Sequence, residues 1–124
     1  MSEERIYTVE EADATLPSLR ERLVAIRDAR VRMLDDARLV KERVATDGGG
    51  AHGGRGYWEA QANLKAEIER LAEENILLRD PETGLVDFPG ERDGRRVWLC
   101  WRLGEERVAH WHELDVGFLG RQPL

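Results

Sequence analysis

The sequence predicts an α+β fold in which a long antiparallel helical hairpin is followed by a three-stranded antiparallel β-meander. Two observations support this prediction. Apolar residues recur mostly three or four positions apart from Leu16 to Val44, which is helical spacing, and the stripe resumes from Tyr57 to Leu78 with Gln61 and Asn75 at intervening positions. After Gly84 the apolar period becomes two, and the chain becomes rich in β-branched and aromatic residues. At 124 residues, the chain is expected to form a single domain, 1–124.

The first helical arm is predicted over residues 8–46. Thr8 and Glu11 have the spacing of a capping box, in which each side chain accepts a hydrogen bond from the other residue's amide. Pro17 has no amide hydrogen, so a short helix ending at about Ala14 is expected before the long one. A helix of about 30 residues would be about 45 Å long. The rest of a compact small domain cannot cover a helix of that length alone. The helix therefore needs a partner helix, and we expect a homodimer.

Three further segments complete the predicted organisation. A glycine-rich loop over residues 47–56 precedes the second helical arm, 57–79. The β-meander occupies 85–114, and a C-terminal tail spans 115–124. The loop formally contains GxGxxG, but that fingerprint binds dinucleotides only between a strand and a helix, and here it follows a helix. A flexible turn is the better interpretation.

Two predicted turns set the register of the strands. Asp93-Gly94 is the strongest hairpin signal in the chain, and a two-residue turn there pairs Asp87 with Cys100. A second two-residue turn, at Glu105-Glu106, would pair Cys100 with Trp111. An odd number of loop residues would instead reverse which residues of the last strand share a face with Cys100.

The segment His110-Trp111-His112 is the candidate site. On a strand, both imidazoles lie on one side with α-carbons about 6 to 7 Å apart, close enough to share a metal ion. In the even register they face the helices. The candidate ligands are His110 and His112, with Cys100, Glu113 and Asp115 as candidates for the third and fourth. Zinc is expected first, with iron and copper as alternatives.

The competing interpretation of this segment is structural. Both histidines would then be core residues whose nitrogens bond to the backbone or to polar side chains. Cys100 between two apolar neighbours is more typical of a small buried residue than of a nucleophile. No catalytic residue is assigned, and enzymatic activity is left open.

An alternative function is that of a non-enzymatic, homo-oligomeric interaction module built on the helical hairpin. Trp98, Trp101 and Trp111 are then the candidate interface residues, because tryptophans often anchor interfaces and the outer sheet face is more apolar than a solvated one. That outer sheet face could be covered by a second copy of the chain or, as the second possibility, by a partner protein.

Composition narrows the classes of function. The net charge of −6, without a cluster of basic residues, disfavours nucleic-acid binding. No apolar run approaches the roughly 20 residues that span a bilayer, so no membrane association is expected. A single cysteine and a start without export features favour the cytoplasm.

Three stretches carry a resemblance to a known family: IYTVEEADATLPSLR, GLVDFPGERDGRRVWLCWRLGE and AHWHELDVGFLGRQPL. Together they resemble the bacterial proteins catalogued as domain of unknown function 2203, over almost the whole chain. The glycine-rich loop is the part that matches no family pattern. The resemblance implies a small intracellular bacterial protein and no particular activity.

Overall fold

The computed structural model describes residues 5–47 and 54–124. Two helices precede a five-stranded antiparallel sheet of strand order β1-β2-β3-β4-β5, so the α+β class is confirmed but the sheet has two more strands than predicted. The elements are α1 (Val9–Asp47), α2 (Gly54–Glu73), β1 (Leu77–Asp80), β2 (Leu85–Arg92), β3 (Arg95–Arg102), β4 (His110–His112), a 3₁₀ turn (Phe118–Gly120) and β5 (Gln122–Pro123). Most of the glycine-rich loop lies outside the described residues. In the part described, neither helix has the length and apolar character needed to cross a membrane.

Helix α1 begins at the predicted capping box. The Thr8 amide donates to the Glu11 carboxylate at 2.9 Å, and the Glu11 amide donates to the Thr8 hydroxyl at 3.0 Å. Hydrogen bonding of the Glu11 carboxylate by the Thr8 amide, and then by the Thr8 side chain, lowers the pKa of Glu11. The predicted break before Pro17 is wrong, because α1 is continuous through it. Leu16 and Leu19 are buried on either side of Pro17, and we attribute the continuity to this packing, which offsets one lost backbone hydrogen bond.

The two helices pack antiparallel. Near the start of α1, the Arg22 guanidinium lies 2.8 Å from the carboxylate of Glu74 and 3.9 Å from that of Glu67, at the end of the second arm. Five described side chains of α1 are buried, and they lie in its first half: Ala12, Leu16, Leu19, Leu23 and Ile26. Among the later α1 side chains that are described, none is buried. We call residues 29–42 together with 57–69 the outer arm of the hairpin.

The second helix is shorter than the predicted arm 57–79 at its carboxyl end. Asn75 adopts a left-handed conformation with φ of 62°, and the Tyr7 hydroxyl donates to the Glu74 carbonyl at 2.7 Å. Such a residue just past the last turn is a common way to end a helix. The chain from Leu77 then forms β1, which pairs with β2. Leu78 continues the helical spacing in sequence but lies in a strand.

The hairpin of β2 and β3 has the predicted register. Asp93 and Gly94 have φ of 55° and 79°, the positive values that a type I′ turn requires. Asp87 therefore lies opposite Cys100, as expected. On the face toward the helices, Val86, Phe88, Val97, Leu99 and Trp101 join the core.

The predicted register of β3 and β4 is wrong by one residue. Cys100 lies opposite His110 rather than Trp111, and Trp111 lies opposite Leu99. Because side chains alternate along a strand, the shift turns Trp111 into the core and turns both histidines to the face of Cys100. His110 and His112 therefore do not face the helices.

The shift arises in the loop of residues 103–109. This loop is not a two-residue turn, because α1 holds it in another conformation. The buried Val108 donates its amide hydrogen to the Asp13 carboxylate at 2.7 Å, and Arg20 donates to the Glu106 carbonyl at 2.8 Å. The sequence signal for a two-residue turn depends on neighbouring residues, so it does not predict these contacts with α1.

Candidate metal centre

Three buried side chains of ligand type meet on the sheet face that points away from the helices. Asp87 comes from β2, Cys100 from β3 and His112 from β4, and their ligand atoms all lie within 4.8 Å of one another. The register places them there, since Asp87 is opposite Cys100 and His112 is opposite Trp98, two positions along β3 from Cys100. A carboxylate, a thiol and an imidazole are thus gathered from three adjacent strands.

The ring of His112 is held in one orientation. Its Nδ1 lies 2.9 Å from the Glu113 carbonyl oxygen, and because a carbonyl only accepts, Nδ1 carries the hydrogen and donates. Nε2 then points at Asp87, with 3.0 Å between Nε2 and Oδ1. An Nδ1–H bonded to a backbone carbonyl is the common arrangement in histidines that bind metals through Nε2.

The carboxylate of Asp87 is fixed from its other side. Arg79 donates from Nε to Oδ2 at 2.9 Å, and its guanidinium also lies 4.9 Å from the centre of the Trp98 ring. Arg79 thereby occupies one carboxylate oxygen and leaves Oδ1 facing His112. A supporting charge of this kind orients a ligand carboxylate.

Cys100 is a protonated thiol at neutral pH. Burial and, to a smaller extent, the neighbouring Asp87 carboxylate raise the pKa of this thiol to about 12, against the opposing effect of Arg121. A nucleophilic cysteine needs a lowered pKa and a histidine base in contact with the sulfur. Both ring nitrogens of His112 have other partners, the Glu113 carbonyl for Nδ1 and the Asp87 carboxylate for Nε2, so this geometry does not support a thiolate–imidazole pair.

His110 belongs to a second polar group beside the first. The Arg121 guanidinium pairs with the Glu105 carboxylate and lies 3.0 Å from Nδ1 of His110. Burial alone would raise the pKa of Glu105, but hydrogen bonds from Arg121 and the Arg102 amide lower it overall. His110 is thus engaged by Arg121 and lies outside the group of three ligand-type side chains.

The remaining predicted ligands lie around this centre. The Glu113 carboxylate is 2.5 Å from Arg95, and only the Glu113 backbone carbonyl contacts His112. Asp115 is exposed and lines the adjacent pocket. The predicted ligands His112 and Cys100 are brought together. Asp87, the third member of the group, was not among the predicted ligands, although the predicted hairpin register had already placed it opposite Cys100.

The tryptophans predicted as interface residues occupy different environments. Trp101 and Trp111 are buried in the core of the chain itself, so they do not form an exposed interface. The Trp111 indole nitrogen has no hydrogen-bond partner among the described residues. Trp98 is half-buried beneath Arg79.

A pocket of about 340 Å³ opens beside the three ligand-type side chains, all of which line it. This volume is at the lower end of the range for small-molecule sites. Arg79 lines one side, and apolar side chains form much of the rest: Leu85, Leu114, Val116 and Phe118. The centre is therefore accessible to a small ligand although its three side chains are buried.

Comparison with known proteins identifies a family but no function. The profile of a family described as an uncharacterized conserved protein, DUF2203, matches residues 5–124. No curated protein and no solved structure matches the chain.

Proposed function

Since the chain belongs to the DUF2203 family of uncharacterized conserved proteins, we propose a function from its own candidate site: it is a small cytoplasmic protein that binds one divalent transition metal ion. The ligands are Asp87, Cys100 and His112. Zinc is the metal that we expect first, with iron and copper as alternatives. A free cysteine ligand suits a reducing compartment, which is why the proposal includes the cytoplasm.

The observation that carries the proposal is the geometry of His112 and Asp87. Because Nδ1 carries the hydrogen that it donates to the Glu113 carbonyl, Nε2 of a neutral ring carries a lone pair. This lone pair faces a lone pair of the Asp87 oxygen across 3.0 Å, which is an unfavourable contact unless a cation lies between the two atoms. A proton or a metal ion between the two atoms satisfies this requirement. Two ligands at about 2.0 Å from a tetrahedral zinc ion lie about 3.3 Å apart, so the pair is already near the spacing that zinc needs.

The ligand types favour zinc and leave it open to the pocket. Thiolate, imidazole and carboxylate are all zinc ligands, and thiolate disfavours magnesium or calcium. Three protein ligands leave a fourth position of a tetrahedral ion for water or another ligand, as in catalytic zinc sites. A metal ion held in this way supplies Lewis-acid chemistry or activates water.

The test is metal analysis of the protein purified without a histidine tag. We expect about one zinc ion per chain, and about one cobalt ion after exchange, with the charge-transfer absorption of a cobalt–thiolate bond. Cys100→Ser should remove that absorption while circular dichroism shows an intact fold. The matched control is Ser18→Ala, an exposed substitution on α1, which should change neither. A correctly folded wild-type protein that takes up neither metal would overturn the proposal.

A second candidate function, the homo-oligomeric interaction module, is favoured by the outer arm. Four large apolar side chains among the described residues of the outer arm are exposed: Val31, Leu34, Ile68 and Trp58, the last with 66% of its surface accessible. Met33, Leu64 and Ile68 line a groove between the helices, and Lys65 and Glu69 border it. In a two-fold dimer each patch meets its own copy, so opposite charges in one patch can pair across the axis. We propose a second copy of this chain as the occupant.

Sedimentation equilibrium tests the dimer. The wild-type protein is expected at twice the chain mass at micromolar concentration, and Ile68→Asp is expected to shift it to the monomer because a carboxylate would be buried in the interface. Leu119→Asp is the control, since Leu119 is 99% exposed and lies outside the outer arm. A wild-type monomer, or a dimer insensitive to Ile68→Asp, would contradict this candidate.

A further inference from the structure

We propose that the pocket beside the metal centre binds a small monocarboxylate with a short apolar tail. The carboxylate would lie between the metal ion and Arg79, and the tail would lie against the apolar wall. This inference rests on the proposed metal binding and adds to it the chemical class of the ligand.

Arg79 is the first observation. Its Nε donates to Asp87, yet the side chain is 43% exposed and lines the pocket, so part of the guanidinium faces the pocket space. A guanidinium offers five donors in a fixed plane, and only one of them is used by Asp87. Arginine with free donors beside a metal ion favours a carboxylate that can bind to both.

The charges around the pocket disfavour a ligand with two negative charges. With a divalent ion bound, the Cys100 thiolate and the Asp87 carboxylate match its two positive charges. Arg79 adds one positive charge on the pocket side, and the exposed Asp115 carboxylate, which lines the same pocket, opposes it and repels a second negative charge. Arg121 adds little, because Glu105 already pairs with it. A phosphate dianion is therefore the weaker candidate.

The walls of the pocket determine the rest of the ligand. Leu85 comes from β2, and Leu114, Val116 and Phe118 come from the segment after β4. The Phe118 ring is held under the guanidinium groups of Arg102 and Arg121 at 5.2 and 4.6 Å. Such a wall favours apolar groups over water, so a chain of a few carbons should bind better than acetate.

The test uses the cobalt-loaded protein, whose visible absorption reports ligands at the open position. It is titrated with acetate, butanoate, inorganic phosphate and butan-1-ol. Butanoate is expected to change the spectrum and to bind about tenfold more tightly than acetate, because two more methylene groups are buried. Phosphate and butan-1-ol should bind more weakly than butanoate.

Arg79→Gln is expected to weaken butanoate binding by about 10- to 100-fold at saturating cobalt, because a charge-assisted hydrogen bond is lost. Arg70→Gln is the matched control: Arg70 also pairs with a carboxylate, Glu67 at 2.6 Å, but does not line the pocket. Loss of cobalt binding in the wild type would overturn metal binding and this inference together. If the cobalt–thiolate spectrum is normal, three results would overturn this inference and leave metal binding in place. They are a spectrum that butanoate does not change, tighter binding of phosphate than of butanoate, and an Arg79→Gln variant that binds butanoate as the wild type does.

Discussion

His112→Ala is expected to lower the affinity for zinc by at least about 100-fold, whereas His110→Ala is expected to lower it by no more than about tenfold. His112 presents Nε2 to Asp87 at 3.0 Å, so its removal takes away a ligand. His110 contacts Arg121, which in turn lies near Cys100, so its removal affects only the surroundings of a ligand. Loss of a residue that contacts a metal ligand directly typically costs 10- to 100-fold, and loss of the ligand itself costs more. His110 reaches Cys100 only through Arg121, so its loss should cost less than that range.

The pair of histidines is a matched test, because both lie on β4 and on the same sheet face. Zinc affinity is measured by competition with a chromophoric chelator, and thermal unfolding of each variant is followed in parallel. Equal losses in the two variants would contradict the assignment of ligands. A purely structural role for His112 predicts a different result: a less stable variant and a wild-type protein that binds no zinc.

Trp101→Ala is expected to destabilise the protein by about 3–5 kcal/mol, a large part of the 5–15 kcal/mol that holds an ordinary domain together. Trp101 has no exposed surface, and its indole N–H donates to the Glu105 carbonyl at 3.1 Å. The substitution therefore leaves a cavity and removes a bond to the loop that sets the register of β4.

Trp101→Phe serves as the control. It keeps most of the packing and loses the hydrogen bond and part of the ring, so we expect a smaller loss of about 1–2 kcal/mol. Urea unfolding followed by circular dichroism measures both variants. If Trp101→Ala unfolds at nearly the wild-type midpoint, the side chain does not contribute to the core as described. Zinc binding by Trp101→Phe should be close to that of the wild type.

The parts of the fold that could be predicted are those encoded locally. The capping box at Thr8 and the turn at Asp93-Gly94 depend on residues next to each other in the chain. From that turn, the pairing of Asp87 with Cys100 followed directly. The helical spacing of apolar residues also predicted both helices.

The parts that could not be predicted depend on distant contacts. β1 consists of only four residues, and Leu78 within it continues the helical spacing; its strand conformation follows from the end of α2 at Asn75 and from pairing with β2. β5 has two residues and carries no periodic signal. The register of β4 depends on hydrogen bonds from the loop to Asp13 and Arg20, about 90 positions earlier in the sequence.

The candidate site shows the same division. Cys100 and His112 were predicted as ligands because cysteine and histidine are rare in this chain and these two lie near each other in sequence. Asp87 is a carboxyl between the apolar residues Val86 and Phe88, and the predicted hairpin already paired it with Cys100, which is the signal that could have identified it. Arg79 lies in β1, which was not predicted as a strand, so its contact with Asp87 could not be foreseen.

The length of the loop of residues 103–109 matters when the sequence of this chain is compared with those of its relatives. Its length decides which sheet face receives His112. A relative with one residue inserted or deleted there, and no compensating bulge, would keep every proposed ligand residue and yet direct the histidine into the core. Conversely, a relative that keeps the loop length and the contacts of the loop to α1 would still present its β4 residues to the pocket. The length of this loop therefore distinguishes relatives that retain the centre from relatives that retain only its residues.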